Sequence, residues 1–404
     1  MLADGETNSE VAHFVSTSAR RDFWWLCVAT FFTFLTTSTA SYLSVIFTSF
    51  GMDAASTGAI LTSPVAVVTA SSLVAARLIS RFSSVSVIAT GQLIILLSYL
   101  SFQITISDAR LAALSYTMFI LGFGLYFPAA LIHAKGKLRG PRTAYYFGIF
   151  SCMFILPNVI GPSVTEWYFS NFGIQLLFPL LCVPLIFGMT LILVRRRRPS
   201  GAPRAVGTQV DAGPYLALLT RQTLLPAYVA TFVVGFVWGF IPSFMALFLK
   251  QNAVPTALFF PAYTCTLLVS RFTILRWLST LAPASVVSFG LACMGFALAL
   301  LLLISRFPTA TVAAATIFGF GYSMTFPVLS VWISDQFRED ERTKPVTLFG
   351  AVFNFSTFLL PLCVGQLIEV AGMRPVLLML VALAFGGALI LVAGRRLAVT
   401  DPRL

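Results

Sequence analysis

Long apolar blocks alternate along the chain with short polar breaks. About twenty apolar residues are enough to carry a helix across the hydrocarbon core of a bilayer. Twelve blocks qualify, at 23–47, 54–76, 85–106, 111–133, 143–165, 174–194, 224–249, 256–275, 284–305, 309–333, 345–369 and 375–394, and we number them spans 1 to 12. The breaks hold turn and cap residues, such as Gly51-Met52-Asp53, Ser107-Asp108-Ala109-Arg110, Asn171-Phe172-Gly173 and Gly372-Met373-Arg374. One break is long. Residues 195–223 open with Arg195-Arg196-Arg197-Arg198-Pro199 and continue rich in Ser, Gly, Ala and Pro, which predicts a linker between two sets of six helices.

The pattern therefore predicts an all-α membrane protein of twelve transmembrane helices in two pseudo-symmetric six-helix bundles, 23–194 and 224–394. A tail at 1–22, the linker at 195–223 and a tail at 395–404 complete the chain. The two halves match at an offset of 199 residues. Arg77 and Ser80 correspond to Arg276 and Ser279, Phe127-Pro128 to Phe326-Pro327, Pro162 to Pro361 and Gly173 to Gly372, each at the equivalent place in a six-plus-six plan. Parallel repeats of this kind are a known transporter design.

Composition narrows the solvent. Of 404 residues, 58% are hydrophobic and 10% charged, against about 25% charged in a typical soluble domain. So few charges cannot cover a water-facing surface, so lipid must surround most of the chain. The net charge of +12 would also suit nucleic acid, but the placement of the charges excludes that partner. With a cytoplasmic N-terminus, 21 of the 26 Lys and Arg fall in inside segments. Four, Arg110, Lys250, Arg306 and Arg374, fall outside, and Arg271 lies within a span. That is the positive-inside bias. It predicts a multi-pass inner-membrane protein with the linker and both termini cytoplasmic. The opening MLADGETNSE is acidic and polar and lacks the positive start of a signal peptide, which predicts a loose tail and an uncleaved first helix. The six cysteines lie in apolar runs without metal-site spacing and are expected as free thiols.

The chain resembles the major facilitator superfamily over its whole length: twelve spans, a basic central linker and cytoplasmic ends. Local motifs are partly kept. After span 2 the superfamily often shows Gly-x-Leu-x-Asp-Arg-x-Gly-Arg. Here Leu78 and Arg81 fit, while Ser80 replaces the aspartate and Ser83 the second glycine. In span 5, only Gly161-Pro162 remains of the Gly-x-x-x-Gly-Pro-x-x-Gly-Gly pattern of drug–proton antiporters. Met118 stands where such antiporters often carry an arginine in span 4. Phe353-Asn354-Phe355 in span 11 is similar to bacterial exporters of siderophores and other metabolites. The resemblance implies alternating access, with spans 1, 4, 7 and 10 lining a cavity. Arg77, Arg81, Gly161, Pro162 and Arg276 are the expected conformational residues.

An ionisable group inside a bilayer is costly and is a functional candidate for that reason. Arg271 in span 8 would suit an anionic or carboxylate-bearing substrate through bidentate hydrogen bonds; snorkelling to the headgroups or locking a gate is the other reading. Glu166 and Glu369 end the equivalent spans 5 and 11, as proton carriers or as interfacial residues in water. His133, beside Lys135 and Lys137, reads as interfacial. Span 1 bears Thr30, Thr33, Thr37, Ser41 and Ser44 at helical spacing with Tyr42 nearby, a stripe that faces a cavity or a neighbouring helix. Tyr126, Trp238 and Tyr322, with Asn158 and Asn354, are either cavity-lining or packing residues; an aromatic, sparsely charged cavity suits an amphipathic or aromatic molecule.

No Gly-x-x-x-x-Gly-Lys-Ser/Thr is present and only His13 and His133 are available as imidazoles, so no cofactor, metal or enzymatic activity is expected. The expected function is secondary active transport of a small organic molecule by a monomer, as proton-coupled efflux of a drug, siderophore or other metabolite. Import of an organic anion on the same fold is the alternative, and a non-transporting membrane protein is a third.

Overall fold

The computed structural model describes residues 14–139, 143–196, 224–273, 281–337 and 343–400. The predicted linker lies almost wholly outside these residues, as do Arg276, His13 and the last four residues of the C-terminal tail. Helices stand at all twelve expected places. Span 1 is Thr17–Ser38 and Leu43–Ser49 around a 3-10 turn at Thr39–Tyr42; span 2 is Ala54–Thr62 and Val65–Arg81. Spans 3 and 4 are Ser84–Thr105 and Ala109–Lys135. Span 5 is Thr143–Ile155 and Gly161–Phe172 around a 3-10 turn at Leu156–Val159, and span 6 is Leu177–Arg196. Span 7 is Leu225–Ser243 and Met245–Gln251, span 8 is Thr256–Thr273 and span 9 is Pro283–Leu301. Ala310–Asp335, Thr343–Ala371 and Met373–Thr400 form spans 10 to 12.

Ten of these stretches are long and apolar enough to cross a bilayer. The two that fall short are spans 2 and 8. Ser63-Pro64 interrupts span 2, because proline has no N–H for the helix ladder. The described part of span 8, Thr256–Thr273, is diluted by four threonines, Pro261 and Arg271. The N-terminal tail departs from expectation. Helix starts at Thr17, capped by the Ser16 hydroxyl on the Ala19 N–H at 3.0 Å. Phe14 is fully buried, and Val15 N–H donates to the Lys137 carbonyl at 3.2 Å. Lys137 pairs with Asp22 at 3.5 Å. From Phe14 onward the chain is therefore tied down, because a large aromatic ring gains more from burial against Phe23 and Tyr146 than a polar tail loses in freedom.

The described residues fall into two compact units. One holds residues up to Ala40 and from Ala66 to Arg196; the other holds Ser41–Val65 and everything from Leu224 onward. The hairpin between spans 1 and 2 thus belongs with the second unit, and both of its arms are broken near the hand-over, at Thr39–Tyr42 and Ser63-Pro64.

Within each unit the helices cross in the same pairs. Span 3 packs on 4, 1 on 6 and 3 on 6 in the first; span 9 packs on 10, 7 on 12 and 9 on 12 in the second. The closest crossings are made by glycines at the same offset. A Cβ on Gly91 would meet the Gly122 carbonyl oxygen at 2.7 Å, and one on Gly290 would meet that of Gly321 at 2.8 Å. Gly188 lies against the Ala29 carbonyl of span 1, and Gly387 against Val233 of span 7. Without a hydrophobic drive between helices in lipid, such backbone contact is what holds a bundle together. Gly173 and Gly372, also equivalent, both take positive φ, +65° and +82°, which lets the chain turn between spans 5 and 6 and between 11 and 12.

Candidate functional site

Two aromatic clusters grow from equivalent positions. In the first unit Phe123 and Phe127 of span 4 stack with ring centroids 5.7 Å apart, and Phe127 meets Phe154 of span 5 at 5.0 Å. Phe34 of span 1 closes the group, 5.6 Å from Phe123 and 4.9 Å from Phe154. An offset of 199 turns Phe123, Phe127 and Phe154 into Tyr322, Phe326 and Phe353. These rings are linked the same way, at 6.1 Å and 4.8 Å. Trp238 of span 7 takes the closing place, stacked on Tyr322 at 5.3 Å and 14° and lying 5.5 Å from Phe353.

The second cluster also carries polar handles. Trp238 Nε1 donates to the Tyr263 hydroxyl at 2.9 Å. Tyr263 comes from span 8, eight residues before Arg271, a spacing that keeps both on roughly one helix face. Arg271 sits in the last described turn of that helix. Its Nε is buried without a hydrogen-bond partner among the described residues. A buried charged donor left unmatched is costly, and its best complement is a carboxylate or other oxyanion. The arrangement can therefore hold a flat ring by stacking and an anionic oxygen by charge.

Tyr263 was not legible as a site residue, although a phenol two helical turns from an intramembrane arginine is the signal that would have marked it. Tyr322 is buried and Trp238 half-buried. Tyr126, in the first unit, is fully buried and donates to Thr30 Oγ1 at 3.1 Å. Two members of the span 1 stripe, Thr30 and Thr33, turn to neighbouring helices. Besides Thr30, Thr33 accepts from Gln92 Nε2 at 2.8 Å; off the stripe, Thr36 bonds the Leu181 carbonyl at 2.8 Å and Thr39 meets the Tyr99 hydroxyl at 3.2 Å. Thr37 bonds the Phe34 carbonyl of its own helix. Ser41 and Tyr42 are buried where span 1 enters the second unit.

Asn158 donates to the Phe154 and Ile155 carbonyls, so its amide satisfies groups released by the 3-10 break at Pro157. Gly161 and Pro162 are buried at the start of the following helix, where a Cβ on Gly161 would strike the Ser38 hydroxyl. Asn354 is half-buried in span 11, next to Phe353 in sequence. Arg77 and Arg81 are exposed. His133 Nδ1 lies 2.8 Å from Ser84 Oγ. Glu166 is half-buried.

Glu369 is exposed, and its Oε2 accepts the Ala54 N–H at 3.2 Å, at the head of helix Ala54–Thr62. Asp53 caps the same helix through the Ser56 N–H at 2.6 Å, which holds its carboxyl below the usual carboxylate range. Below the cap, a Cβ on Gly58 would strike the Pro361 carbonyl of span 11 and one on Gly365 the Ala54 carbonyl. Span 11 and the hairpin thus touch backbone to backbone.

The family model described as Major Facilitator Superfamily matches residues 26–281 and 227–403. The chain belongs to the major facilitator superfamily. It is accordingly a multi-pass membrane protein with a transporter fold, and the family is one of carriers rather than enzymes. Solved structures with the superfamily fold include a variant of the nucleoside transporter NupG, at 15% identity and a TM-score of 0.74 over 92% of this chain and 99% of that one. The peptide transporter POT in complex with sulfate matches at 14% identity and 0.75 over 92% and 94%. The POT family transporter PepTSo matches at 10% identity and 0.76 over 94% and 99%. No curated protein sequence matches the chain.

Proposed function

We propose that this protein is a monomeric secondary active carrier of a small organic molecule with an aromatic or otherwise flat apolar body, exported across the cell inner membrane in exchange for protons. It works by alternating access between the bundles 23–194 and 224–394, with both termini cytoplasmic. The observation that carries the reading is the chemistry of the second aromatic cluster. Trp238, Tyr263 and Tyr322 join an indole and two phenols in one cluster, where the first cluster is built of Phe34, Phe123, Phe127 and Phe154 with Tyr126 against Phe34. Fold neighbours named as nucleoside and peptide transporters support an organic cargo over an inorganic ion. The retained Gly161-Pro162, beside the break in span 5, supports the export direction through its likeness to antiporters. Glu369, bonded to a helix end that any parting from span 11 would free, is the proposed proton carrier.

A second reading, import of an organic anion, is favoured by the unmatched Nε of Arg271. One experiment separates the two. Purified protein in liposomes is offered a panel of neutral, cationic and carboxylate-bearing aromatic compounds, with and without an imposed pH gradient. Export coupling predicts accumulation that collapses when the gradient is removed. Transport of carboxylates alone, indifferent to the gradient, would replace the first reading with the second. No transport of any aromatic compound would remove both.

A further inference from the structure

A threonine inside a helix commonly returns its hydroxyl to the carbonyl three or four residues back. Thr231 of span 7 does so, donating to the Ala227 carbonyl at 2.7 Å, and Thr273 of span 8 donates to that of Val269 at 2.8 Å. Thr264, also in span 8, does not. It is fully buried, and its Oγ1 has no hydrogen-bond partner among the described residues. The hydroxyl is therefore turned off its own backbone and toward the protein interior. A second unmatched group lies on the same helix face. Arg271 follows Thr264 by seven residues, two turns of helix, and its Nε is likewise buried without a partner among the described residues. At 1.5 Å per residue the two positions are about 10 Å apart along the axis. Tyr263, next to Thr264 in sequence, accepts the Trp238 N–H at 2.9 Å, and Trp238 stacks on Tyr322. The aromatic stack thus stands at the Thr264 level of the helix, and the guanidinium two turns further on.

We propose that Thr264 is a specificity-determining residue that reads a hydroxyl or amino group on the ring of the cargo, and that the cargo is an aromatic acid carrying this group and its carboxylate at opposite ends, with the carboxylate on Arg271. The inference rests on the proposed reading that the second aromatic cluster holds the cargo. A threonine hydroxyl both donates and accepts, so it matches a ring O–H or N–H in either sense. It carries no charge, so it gives no preference to a charged ring substituent. A buried polar group left unpaired is costly. An unsubstituted ring leaves the Thr264 hydroxyl in that state, and a substituted one relieves it, which is how a site rejects an analogue lacking one polar group.

The full-length protein in liposomes is offered para-hydroxyphenylpropanoate, phenylpropanoate and para-hydroxyphenylethanol, and initial rates are compared. The hydroxylated acid is expected to be carried roughly five- to tenfold faster than the unsubstituted one, the discrimination that one buried hydrogen bond supplies. Thr264→Val should bring the ratio of the two acids close to one, and Thr264→Ser, which keeps the hydroxyl, should restore most of it. No described residue uses the Thr264 hydroxyl, so Thr264→Val should melt no lower than the wild type in detergent. Thr231→Val, whose hydroxyl is spent on its own helix, should keep the ratio. A ratio that survives Thr264→Val, or a loss that falls equally on both acids, overturns the proposal. Transport of the alcohol as fast as the hydroxylated acid overturns the acid end of the assignment. Transport of neither acid overturns the substrate class, and the neutral and cationic aromatic compounds used to test the carrier reading then tell whether that reading falls with it.

Discussion

Phe34, Phe123, Phe127 and Phe154 in the first unit meet ring to ring, and the adjoining Tyr126 hydroxyl is spent on Thr30. At the corresponding positions of the second unit stand Tyr322, Phe326 and Phe353, joined by Trp238, Tyr263 and a guanidinium with an unmatched N–H. The helix crossings beneath are alike, down to the glycines. The two units thus share their helix crossings, while the second cluster carries the indole, phenols and guanidinium on which the proposed recognition rests. Rings against rings contribute about 0.5–1.5 kcal/mol per pair whichever half they are in. Hydrogen-bonding groups in a low-dielectric site do more, since a ligand that fails to match them leaves them unpaired. On the proposed reading, cohesion lies in both clusters and recognition in the second.

The largest test removes the charge. Arg271→Ala should lower transport of the preferred substrate by about 10- to 100-fold, the loss expected for hydrogen bonds to a charged group, measured as initial rates in proteoliposomes. Arg271→Lys should recover part of it, because a lysine supplies charge without the planar fork. Arginine changes in the exposed Arg77–Arg81 turn should leave binding of the substrate unchanged, whatever they do to the rate. A full rate in Arg271→Ala would move the site away from the second cluster.

Next comes the claim that packing is shared. Gly91→Ala and Gly290→Ala should destabilise the protein by similar amounts, about 1–3 kcal/mol each, the usual cost of forcing a methyl into a packed crossing. The added carbon meets a carbonyl oxygen at 2.7 Å in one case and 2.8 Å in the other. Thermal unfolding in detergent reads this. A large loss at one glycine and none at its partner would break the equivalence of the two bundles.

The places of the spans were legible, with ends off by up to about seven residues, since the need for about twenty apolar residues leaves little freedom. Three breaks within them fall at Pro64, Pro157 and Pro242, whereas the break at Thr39–Tyr42 has no proline and Pro128, Pro261, Pro327 and Pro361 lie inside unbroken helices. The offset of 199 was visible through Pro162 and Pro361, but its deeper content, Gly91 with Gly290 and Phe154 with Phe353, became meaningful only when those residues were seen at matching crossings. Allegiance of Ser41–Val65 to the second unit had no local signature. It depends on Gly58 and Gly365, 307 residues apart, touching across a helix pair. The span 1 stripe could face a cavity or a helix on sequence grounds; its Thr30 and Thr33 meet Tyr126 and Gln92 of neighbouring helices, while Thr37 bonds its own helix. With 14% aromatic residues, composition alone could not single out Tyr263.

A finer test exchanges the chemistry of the clusters. Trp238→Phe keeps a ring on Tyr322 but strips the N–H that fixes Tyr263, and should raise the apparent Km about three- to tenfold, in line with one hydrogen bond between membrane helices. Phe123→Tyr gives the first cluster the phenol of its counterpart and should change Km by less than twofold, because among the described residues no cation or indole is joined to that cluster to use it. If the two changes have equal effects, recognition is shared by both halves and the asymmetry is only of composition.

The smallest expected effect lies at the far ends of the equivalent spans 5 and 11. Glu369→Gln preserves an acceptor for the Ala54 N–H and removes the negative charge that strengthens the bond. The carboxylate is exposed, so water screens most of that difference, and counterflow measured without a pH gradient should fall only about twofold. The dependence of transport on an imposed pH gradient should nonetheless flatten if Glu369 exchanges protons as the hairpin parts from span 11. Glu166→Gln, at the corresponding end of the first unit, should leave both rate and pH dependence as they are. Flattening by Glu166→Gln with none from Glu369→Gln would transfer the coupling to the first unit. In that case the second half would hold the ligand and the first would hold the proton.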